Sequence, residues 1–370
     1  MIIEEIEAYP VDIPRSPTTV IRSSYNPAQS ARYVIVRIRT DAGLEGYGEA
    51  SPELEWTGED LHSCHSCIVH HLAPALKGHD PLHVQQAVDL MHSALVQNPH
   101  AKGAVEMALW DLVGKRADLP LAELWGGRVR ERVAVKFVVS GPPQRASDMA
   151  AEVLEKGFRY IKIKVGKDPQ ADIDRVRAVR ETVGPEVPVG VDANMGWTPI
   201  QAVSVLPALE ELGVAFIEQP FSRWPRERLR DFSQRTPIPV VAHESCFTVE
   251  DARDLLATRA VDIWAITPGT HGGYLPTRDI LALAHAGGIP CLLGSTLELG
   301  IGSAFMAHIG LAAKPIDGTV ASDIIGSFYH EVDVIAEKLL FEEGGIAPPP
   351  GPGLGVTLNR EALTDFRAPV

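Results

Sequence analysis

The chain has 370 residues, of which 45% are apolar and 22% charged, and its formal net charge at pH 7 is −14. This length predicts one large domain with a smaller one beside it. The acidic balance argues against nucleic-acid binding, which needs a surplus of Lys and Arg. No run approaches the roughly eighteen apolar residues of a membrane helix, and the N-terminus lacks the pattern of a signal peptide. We therefore expect a cytoplasmic protein with neither a nucleic-acid nor a membrane partner.

The first third of the chain predicts a sheet followed by helices. Three strands are expected in residues 1–50, namely IIEEIEAYPVDI, ARYVIVRIRT and EGYGEA, with a hairpin turn at Asp41–Gly43. Apolar residues then recur at helical spacing in AKGAVEMALWDLVGKRADL. Residues 1–125 therefore predict an α+β arrangement.

From Val133 onward, short apolar strands alternate with amphipathic segments. The eight candidate strands are VAVKFVVS, YIKIKVG, VPVGVDAN, VAFIEQP, IPVVAHE, VDIWAIT, IPCLLGS and TVASDII. Strands that are apolar along most of their length are typical of buried parallel sheets. Eight strand–helix units favour a closed barrel, although an open doubly wound sheet has the same periodicity.

Polar side chains stand at the C-terminal ends of most of these strands, where a parallel barrel places its active site. In YIKIKVG, Lys162 and Lys164 are two residues apart and share one face, while the other face is apolar. We therefore expect both lysines to point into the barrel. The next three strands end in Asp192 and Asn194, in Glu218, and in His243 and Glu244.

These charges predict a metal site with a lysine base. Buried charges are costly unless they are paired or bind a metal, and one Asp with one or two Glu suits Mg²⁺ or Mn²⁺. A lysine beside a second lysine and a dication has its pKa lowered, so that it could be a neutral base near pH 7. The alternative is structural, with Lys162 or Lys164 reaching the barrel rim and pairing with Asp192 or Glu218.

The same residues resemble a known family. The series YIKIKVG, VDANMGW, FIEQP and HES, followed by HGGY, CLLGSTLELG and GPGLGV, resembles the muconate-lactonizing subgroup of the enolase superfamily, within the mandelate racemase–muconate lactonizing enzyme family. The helix AVEMALWDLVGKRADLPLAELWGG resembles the stretch that links that family's capping domain to its barrel. The similarity covers nearly the whole chain.

The resemblance implies an α/β fold, a TIM-type (β/α) barrel with an N-terminal α+β capping domain. Residues 1–128 would form the capping domain and 129–326 the barrel. The segment 327–370 would return to the capping domain. The protein is expected to be a homo-oligomer that binds a small-molecule carboxylate.

The resemblance also implies residue roles. Mg²⁺, with Mn²⁺ as the alternative, would be held by Asp192 and Glu218, with Lys164 as the acid/base and Lys162 in support. The shared step would be abstraction of the α-proton of a carboxylate to an enediolate. Loops near 21–28 and 53–57 would shape the specificity pocket. The residues expected to bind substrate or to support the site are Tyr25, Trp56, Asn194, Thr267, Ser295 and Glu298.

The fifth strand departs from the family pattern. The subgroup usually has Asp-Glu-Ser there, with the Asp binding metal, whereas His243 takes that position in this chain. Glu244 follows, at the position of the ligand in the mandelate-racemase branch. Because Mg²⁺ prefers oxygen, Glu244 is favoured over His243 as the third ligand. If His243 binds instead, Mn²⁺ or Zn²⁺ becomes more plausible.

The sixth strand departs as well. Thr267 replaces the family's second lysine, and a threonine cannot serve as a base at neutral pH. His271, four residues later, is expected to be a loop residue and is a minor candidate for a replacement base. Glu298, after the seventh strand, is expected to position groups by hydrogen bonding rather than to donate a proton.

A two-base racemase needs groups on opposite faces of the substrate, and only one lysine face is present. The leading hypothesis is therefore cycloisomerisation of a muconate-like diacid or syn β-elimination from a hydroxy acid. The alternatives are an amino-acid or dipeptide racemase or epimerase and, in another class, a non-catalytic scaffold that binds metal or ligand.

Overall fold

The computed structural model describes residues 1–16, 21 and 30–370, and its N-terminal part is an antiparallel sheet. The three strands predicted for residues 1–50 are confirmed, and they pair in the order β1-β2-β3. Their bounds are β1 (Ile3–Pro14), β2 (Ser30–Thr40) and β3 (Glu45–Ala50). The predicted turn is also confirmed, because Gly43 adopts a φ of +77° that permits the tight reversal between β2 and β3.

Helices cover one face of this sheet. They are α1 (Leu54–Thr57), α2 (Leu61–Cys67), a π-helical turn (Ile68–Leu72), α3 (Ala73–Leu76), α4 (Val84–Ala94), α5 (Pro99–Ala117) and α6 (Leu121–Leu124). The long helix α5 lies directly on β3, where a Cβ atom on Gly48 would come within 1.9 Å of the Ala104 carbonyl oxygen. Glycine at that position therefore sets how closely helix and sheet approach.

The rest of the chain builds a (β/α) barrel, as predicted. Seven parallel strands pair in the order of the sequence: β5 (Phe137–Val139), β6 (Ile161–Lys164), β7 (Val189–Asp192), β8 (Ile217–Glu218), β9 (Val240–Ala242), β10 (Ile263–Ile266) and β11 (Cys291–Leu293). Before them, β4 (Val133–Ala134) pairs outside the barrel.

Helices surround these strands. They are α7 (Pro143–Glu155), α8 (Pro169–Val183), α9 (Pro199–Glu211), α10 (Arg226–Ser233), α11 (Val249–Thr258), α12 (Pro268–His271), α13 (Tyr274–Gly287) and α14 (Gly300–Ala312). None of the helices in the described part of the chain is long and apolar enough to cross a membrane.

The eighth position of the barrel differs from the prediction. TVASDII was predicted to be a strand, but it is irregular and joins its neighbours through a few backbone hydrogen bonds. Ser322 bridges Val135 in parallel, and the Asp323 amide donates to the Leu293 carbonyl at 2.7 Å. These bonds join the first and seventh strands and complete the ring. The first predicted strand, VAVKFVVS, is likewise interrupted, at residues 135–136.

The C-terminal segment returns to the N-terminal sheet and helices. It contains a short 3-10 turn (Gly326–Phe328), the hairpin β12 (Leu340–Glu342) and β13 (Gly345–Ala347), and α15 (Arg360–Asp365). The amide of Ala368 donates to the Pro10 carbonyl at 2.9 Å, and the amide of Leu354 donates to Asp111 at 2.9 Å. The domain boundaries at residues 128 and 326 stay a prediction.

Two buried carboxylates anchor the N-terminal domain on the barrel. Glu49 accepts hydrogen bonds from the amides of Leu299 (2.6 Å) and Gly302 (2.8 Å), at the start of α14. Glu106 accepts from the amide of Leu275 (2.9 Å), at the start of α13. Free amides and the helix dipole favour a carboxylate at a helix N-terminus. In a (β/α) barrel these helices begin at the face where the strands end, so the N-terminal domain lies over that face.

Asp111 provides a test of this architecture. Its buried carboxylate accepts from the Tyr47 amide (3.0 Å), the Leu354 amide (2.9 Å) and the Lys115 ammonium (2.7 Å). We predict that Asp111→Ala lowers the free energy of unfolding in urea by about 3–5 kcal/mol, because it leaves two amides unpaired and removes the carboxylate partner of the partly buried Lys115. Asp89→Ala, at an exposed position on α4, should change it by less than about 0.5 kcal/mol. Equal effects for both variants would contradict this account.

Candidate active site

Lys162 lies in the middle of the barrel and is shared by three carboxylates. Its Nζ atom is 3.0 and 3.1 Å from the two oxygens of Glu218, 2.9 Å from Asp323 Oδ2 and 3.4 Å from Asp192 Oδ2. The residue is only 3% exposed. The expected inward orientation of this side chain is confirmed.

Lys164 lies one layer nearer the barrel mouth and has fewer partners. Its Nζ atom donates to Asp192 Oδ2 and to Asn194 Oδ1, each at 2.6 Å. Asn194 in turn donates through Nδ2 to Glu244 Oε1 at 3.1 Å. The amide side chain therefore links the lysine at the end of β6 to the carboxylate after β9.

Both lysines pair with Asp192 or Glu218, as the structural alternative required, Lys162 inside the barrel and Lys164 at its mouth. Burial alone would lower the pKa of Lys162, yet Asp323, Glu218 and Asp192 raise that pKa well above its usual value. The expectation of a lowered pKa concerned a lysine beside a bound dication, and it stays a prediction. Burial would raise the pKa of Asp192, but Lys164 and Lys162 lower it below its usual value.

A third buried lysine was not singled out from the sequence. Lys136 donates to the Ala321 carbonyl, and its Nζ atom is 3.1 Å from Asp323 Oδ2, the oxygen that also accepts from Lys162. Burial lowers the pKa of Lys136, and Asp323 opposes that effect. Lys136 could have been found from the sequence, because it is the one charged residue in the apolar run VAVKFVVS. Asp323 could have been found in the same way, because it is the one acidic residue in TVASDII.

His243 points into the barrel beside Thr267. Its Nδ1 atom is 3.1 Å from Glu218 Oε1, and its Nε2 atom is 2.8 Å from Thr267 Oγ1. Burial would lower the pKa of His243, but the hydrogen bond to Glu218 and the charge of that carboxylate raise it. The Trp56 ring from α1 lies edge-on against the imidazole, with 4.8 Å between ring centroids. The N-terminal domain therefore closes this side of the mouth with an aromatic side chain.

Glu244 contains an unpaired buried oxygen. Oε1 accepts from Asn194, while Oε2 is buried and has no hydrogen-bond partner among the described residues. Burial raises the pKa of the Glu244 carboxyl, and the nearby charge of Asp192 acts in the same direction. Asp192 and Glu218 are direct neighbours in the β7–β8 register. An orphaned buried carboxylate oxygen near these two acids fits a bound cation, because an unpaired polar atom is costly to bury.

These carboxylates do not form a closed cage. Within the described part of the chain, no three His, Cys, Asp or Glu side chains converge closely enough to form a metal site. The amines of Lys162 and Lys164 lie among the carboxylates instead. The donor set fits Mg²⁺ in chemical kind, since it consists of oxygens.

The remaining predicted residues line the mouth or support it. Ser295 and Thr296 both donate to Glu298, which is therefore held within its own loop. The hydroxyl groups of Thr296 and Ser51 are 2.5 Å apart, and this contact joins the two domains. Tyr25 lies outside the described residues.

Both ring nitrogens of His271 form hydrogen bonds with the backbone. Its Nε2 atom accepts from the Thr267 amide at 3.0 Å, and its Nδ1 donates to the Phe247 carbonyl at 2.9 Å. This arrangement requires the neutral tautomer, and burial lowers the pKa of His271 to about 4. The minor hypothesis of a base at this position therefore finds no support in the geometry.

The fold and the strand-end groups together define a class, the capped (β/α)-barrel enzymes with lysines and carboxylates at the active-site face. A family model described as "Enolase C-terminal domain-like" matches residues 145–362. A second, described as "Mandelate racemase / muconate lactonizing enzyme, N-terminal domain", matches residues 5–126. The chain therefore belongs to the mandelate racemase/muconate lactonizing enzyme family of the enolase superfamily and is an enzyme related to the muconate cycloisomerases.

Its relatives carry more than one activity. The L-Ala-D/L-Glu epimerase of Bacillus subtilis is 34% identical over 361 residues, which cover 96% of this chain and 97% of that protein. Muconate cycloisomerase 1 of Pseudomonas putida is 33% identical over 374 residues, covering 99% and 98%. A crystal structure of the dipeptide epimerase of Cytophaga hutchinsonii with Mg and the dipeptide D-Ala-L-Val superposes with a TM-score of 0.94, at 30% identity and 99% coverage of both chains. Sequence identity to these relatives does not indicate which of their reactions this chain catalyses.

The environment of His271 predicts its titration. We expect its imidazole signals in NMR spectra to stay those of the neutral form until the pH approaches about 4. The unfolded chain binds a proton near pH 6.5, so this residue should make the free energy of unfolding fall as the pH drops from about 6.5 toward 4. Titration of His271 near pH 6.5 would contradict the assigned hydrogen bonds.

Proposed function

We propose that the protein removes the α-proton of a small carboxylate substrate with Lys164. The observation that carries this proposal is the difference between the two lysines. Lys162 is surrounded by three carboxylates, whereas Lys164 lies at the mouth with Asp192 and Asn194 as its hydrogen-bond partners among the described residues. Lys164 is therefore the amine that a substrate can reach, and Lys162 supplies fixed positive charge behind it.

Asp192, Glu218 and Glu244 would hold Mg²⁺, with Mn²⁺ as an alternative. The support is the unpaired Oε2 of Glu244 next to two carboxylates on adjacent strands. His243 is the competing third ligand, but its ring nitrogens already lie within hydrogen-bond distance of Glu218 and Thr267. When bound, the ion would neutralise the negative charge that develops on the substrate carboxylate.

The reaction we propose uses one face of the substrate. Thr267 stands where a second base would be needed, and His271 is tied to the backbone. Cycloisomerisation of a diacid or syn β-elimination needs only Lys164 at the α-carbon. Epimerisation of a dipeptide or amino acid is the second candidate, and the similarity to the Bacillus subtilis epimerase supports it. Assembly into a homo-oligomer stays a prediction.

The third metal ligand can be tested by calorimetry. We predict that Glu244→Gln weakens Mg²⁺ binding by at least about 10-fold, because it removes one charged oxygen from a site with few ligands. His243→Asn should weaken it less. Circular dichroism spectra of both variants control for folding. The opposite ranking would assign the third ligand to His243.

The base can be tested by hydrogen exchange. In deuterated water with Mg²⁺, we expect the wild-type protein to exchange the α-proton of at least one acid in a broad carboxylate panel. Lys164→Ala should reduce both exchange and turnover at least about 1,000-fold, since the neighbouring Lys162 amine is paired with three carboxylates. Thr267→Ala should change KM but leave exchange measurable. Full exchange by Lys164→Ala would rule out this assignment.

A further inference from the structure

Two of the proposed metal ligands lie against the amine of Lys162. Both side-chain oxygens of Glu218 accept hydrogen bonds from its Nζ atom, at 3.0 and 3.1 Å. Asp192 Oδ2 lies 3.4 Å from the same nitrogen. Because an ammonium and Mg²⁺ both carry positive charge and both need these oxygens, they compete for them. Binding of the ion to Asp192 and Glu218 therefore requires another partner for Lys162.

Asp323 is the third carboxylate beside Lys162, and it does not belong to the proposed metal ligands. Its Oδ2 atom accepts from Lys162 Nζ at 2.9 Å. Its Oδ1 atom is buried and has no hydrogen-bond partner among the described residues. An unpaired carboxylate oxygen is costly to bury. Asp323 therefore has a second acceptor with which it can bind the amine of Lys162 more fully.

Lys136 holds Asp323 in place and shares one of its oxygens with Lys162. The Lys136 amide donates to the Ser322 carbonyl at 2.9 Å, and its Nζ atom donates to the Ala321 carbonyl. The same Nζ atom is 3.1 Å from Asp323 Oδ2, which is the oxygen that accepts from Lys162. These contacts fix the irregular eighth segment of the barrel. They also place a second buried cation against the oxygen that binds Lys162.

We propose that Asp323 is a positioning residue, which takes over the amine of Lys162 when Mg²⁺ binds the neighbouring carboxylates. Lys136 opposes this transfer, because two ammonium groups on one carboxylate oxygen repel each other. Asp323 and Lys136 together thus set how tightly the site binds the ion. This inference rests on the proposed function, because it needs Mg²⁺ at Asp192 and Glu218. It goes further by adding two residues that act on the ion through Lys162.

Burial explains why Lys162 needs this partner. A buried ammonium without a partner is costly, since its charge is then uncompensated. Lys162 is only 3% exposed, so bulk water cannot compensate the charge. Asp323 removes this cost. It also keeps the positive charge behind Lys164, which is where the proposed function needs it.

The charges of Asp323 and Lys136 give the two residues opposite effects on the ion. The Asp323 carboxylate attracts the ammonium of Lys162 away from the metal ligands, so it favours binding of Mg²⁺. Lys136 repels that ammonium and neutralises part of the charge of Asp323, so it disfavours binding. Damage to packing or folding would instead weaken binding in both cases. The sign of the change therefore separates positioning from a merely structural role.

The first test measures Mg²⁺ affinity by calorimetry in two variants that each lose one charge and keep a similar shape. We expect Asp323→Asn to weaken Mg²⁺ binding about 10- to 100-fold, the usual effect of losing a group that orients the residues around a metal. Lys136→Met should strengthen binding at least about 3-fold. The matched control is Lys115→Met, which removes the lysine that pairs with Asp111 in the N-terminal domain. It should stay within about 2-fold of wild type.

A double-mutant cycle tests whether Asp323 acts through Lys162. In a Lys162→Met background, Asp323→Asn should change Mg²⁺ affinity by less than about 2-fold, because the amine that Asp323 positions is absent. The same loss of affinity in both backgrounds would mean that Asp323 acts on the ion by its charge alone, and would overturn the inference. Circular dichroism spectra control for the folding of each variant.

The wild-type protein provides a second measurement, which decides the question even if Lys162→Met does not fold. A crystal structure with Mg²⁺ should show the Lys162 amine bound to Asp323 and released by Glu218. An amine that still donates to both oxygens of Glu218 beside the bound ion would overturn the inference.

Asp192→Asn separates failure of this inference from failure of the proposed function. If that variant binds Mg²⁺ as tightly as the wild-type protein, the metal site itself is wrong and both fail. If binding depends on Asp192, but Asp323→Asn and Lys136→Met shift it in the same direction or leave it unchanged, only the inference fails. The proposed roles of Asp192, Glu218 and Lys164 then stand.

Discussion

The arrangement of the site depends on how the barrel neutralises its buried charges. A single ammonium, that of Lys162, lies between carboxylates from three different strand positions, Asp192, Glu218 and Asp323. Removing one partner from such a buried ion pair costs about 3–5 kcal/mol, because the remaining charge is left uncompensated. The groups at the ends of these strands are therefore held in place by one another. Lys136 extends the same network below them and shares Asp323 with Lys162.

This constraint explains why two lysines only two residues apart differ so much. The ammonium of Lys162 is paired with three carboxylates, while Lys164 has Asp192 and Asn194 beside it at the open end of the barrel. The N-terminal domain covers that end. Glu49 and Glu106 anchor it on the first turns of two barrel helices, and Trp56 packs on His243 at the mouth. The barrel thus supplies the fixed charges, and the N-terminal domain supplies the walls of the pocket.

Much of the architecture could be predicted from periodicity. Apolar runs at regular spacing indicated the barrel strands, and the two-residue spacing of the lysines gave their shared inward face. TVASDII was predicted to be a regular eighth strand, and its irregular form could not be foreseen, because the segment is held by a few backbone bonds to strands that are remote in sequence. Secondary-structure propensity contains no information about which segments pair when they are remote in sequence.

Some features of the active site could not be predicted from the sequence for a similar reason. The partners of Lys162 come from residues up to 161 positions away, so the direction of its pKa shift depends on tertiary contacts. The resemblance implied that the loop 53–57 shapes the pocket, but the way this loop meets the barrel, through the Ser51–Thr296 and Trp56–His243 contacts, depends on tertiary packing. The strand-end acids were visible because each ends a recognisable strand. A carboxylate on a connecting loop has no comparable pattern.

The central claim is that one lysine serves one face of the substrate, and the stereochemical course of α-proton exchange tests it most directly. The measurement uses a single enantiomer of a carboxylate that the wild-type protein exchanges but does not eliminate, in deuterated water with Mg²⁺. Because the amine that removes the proton also returns the deuteron, the account predicts incorporation with retention at the α-carbon. Steady conversion to the opposite enantiomer, with deuterium at the inverted centre, would contradict it and require a second base.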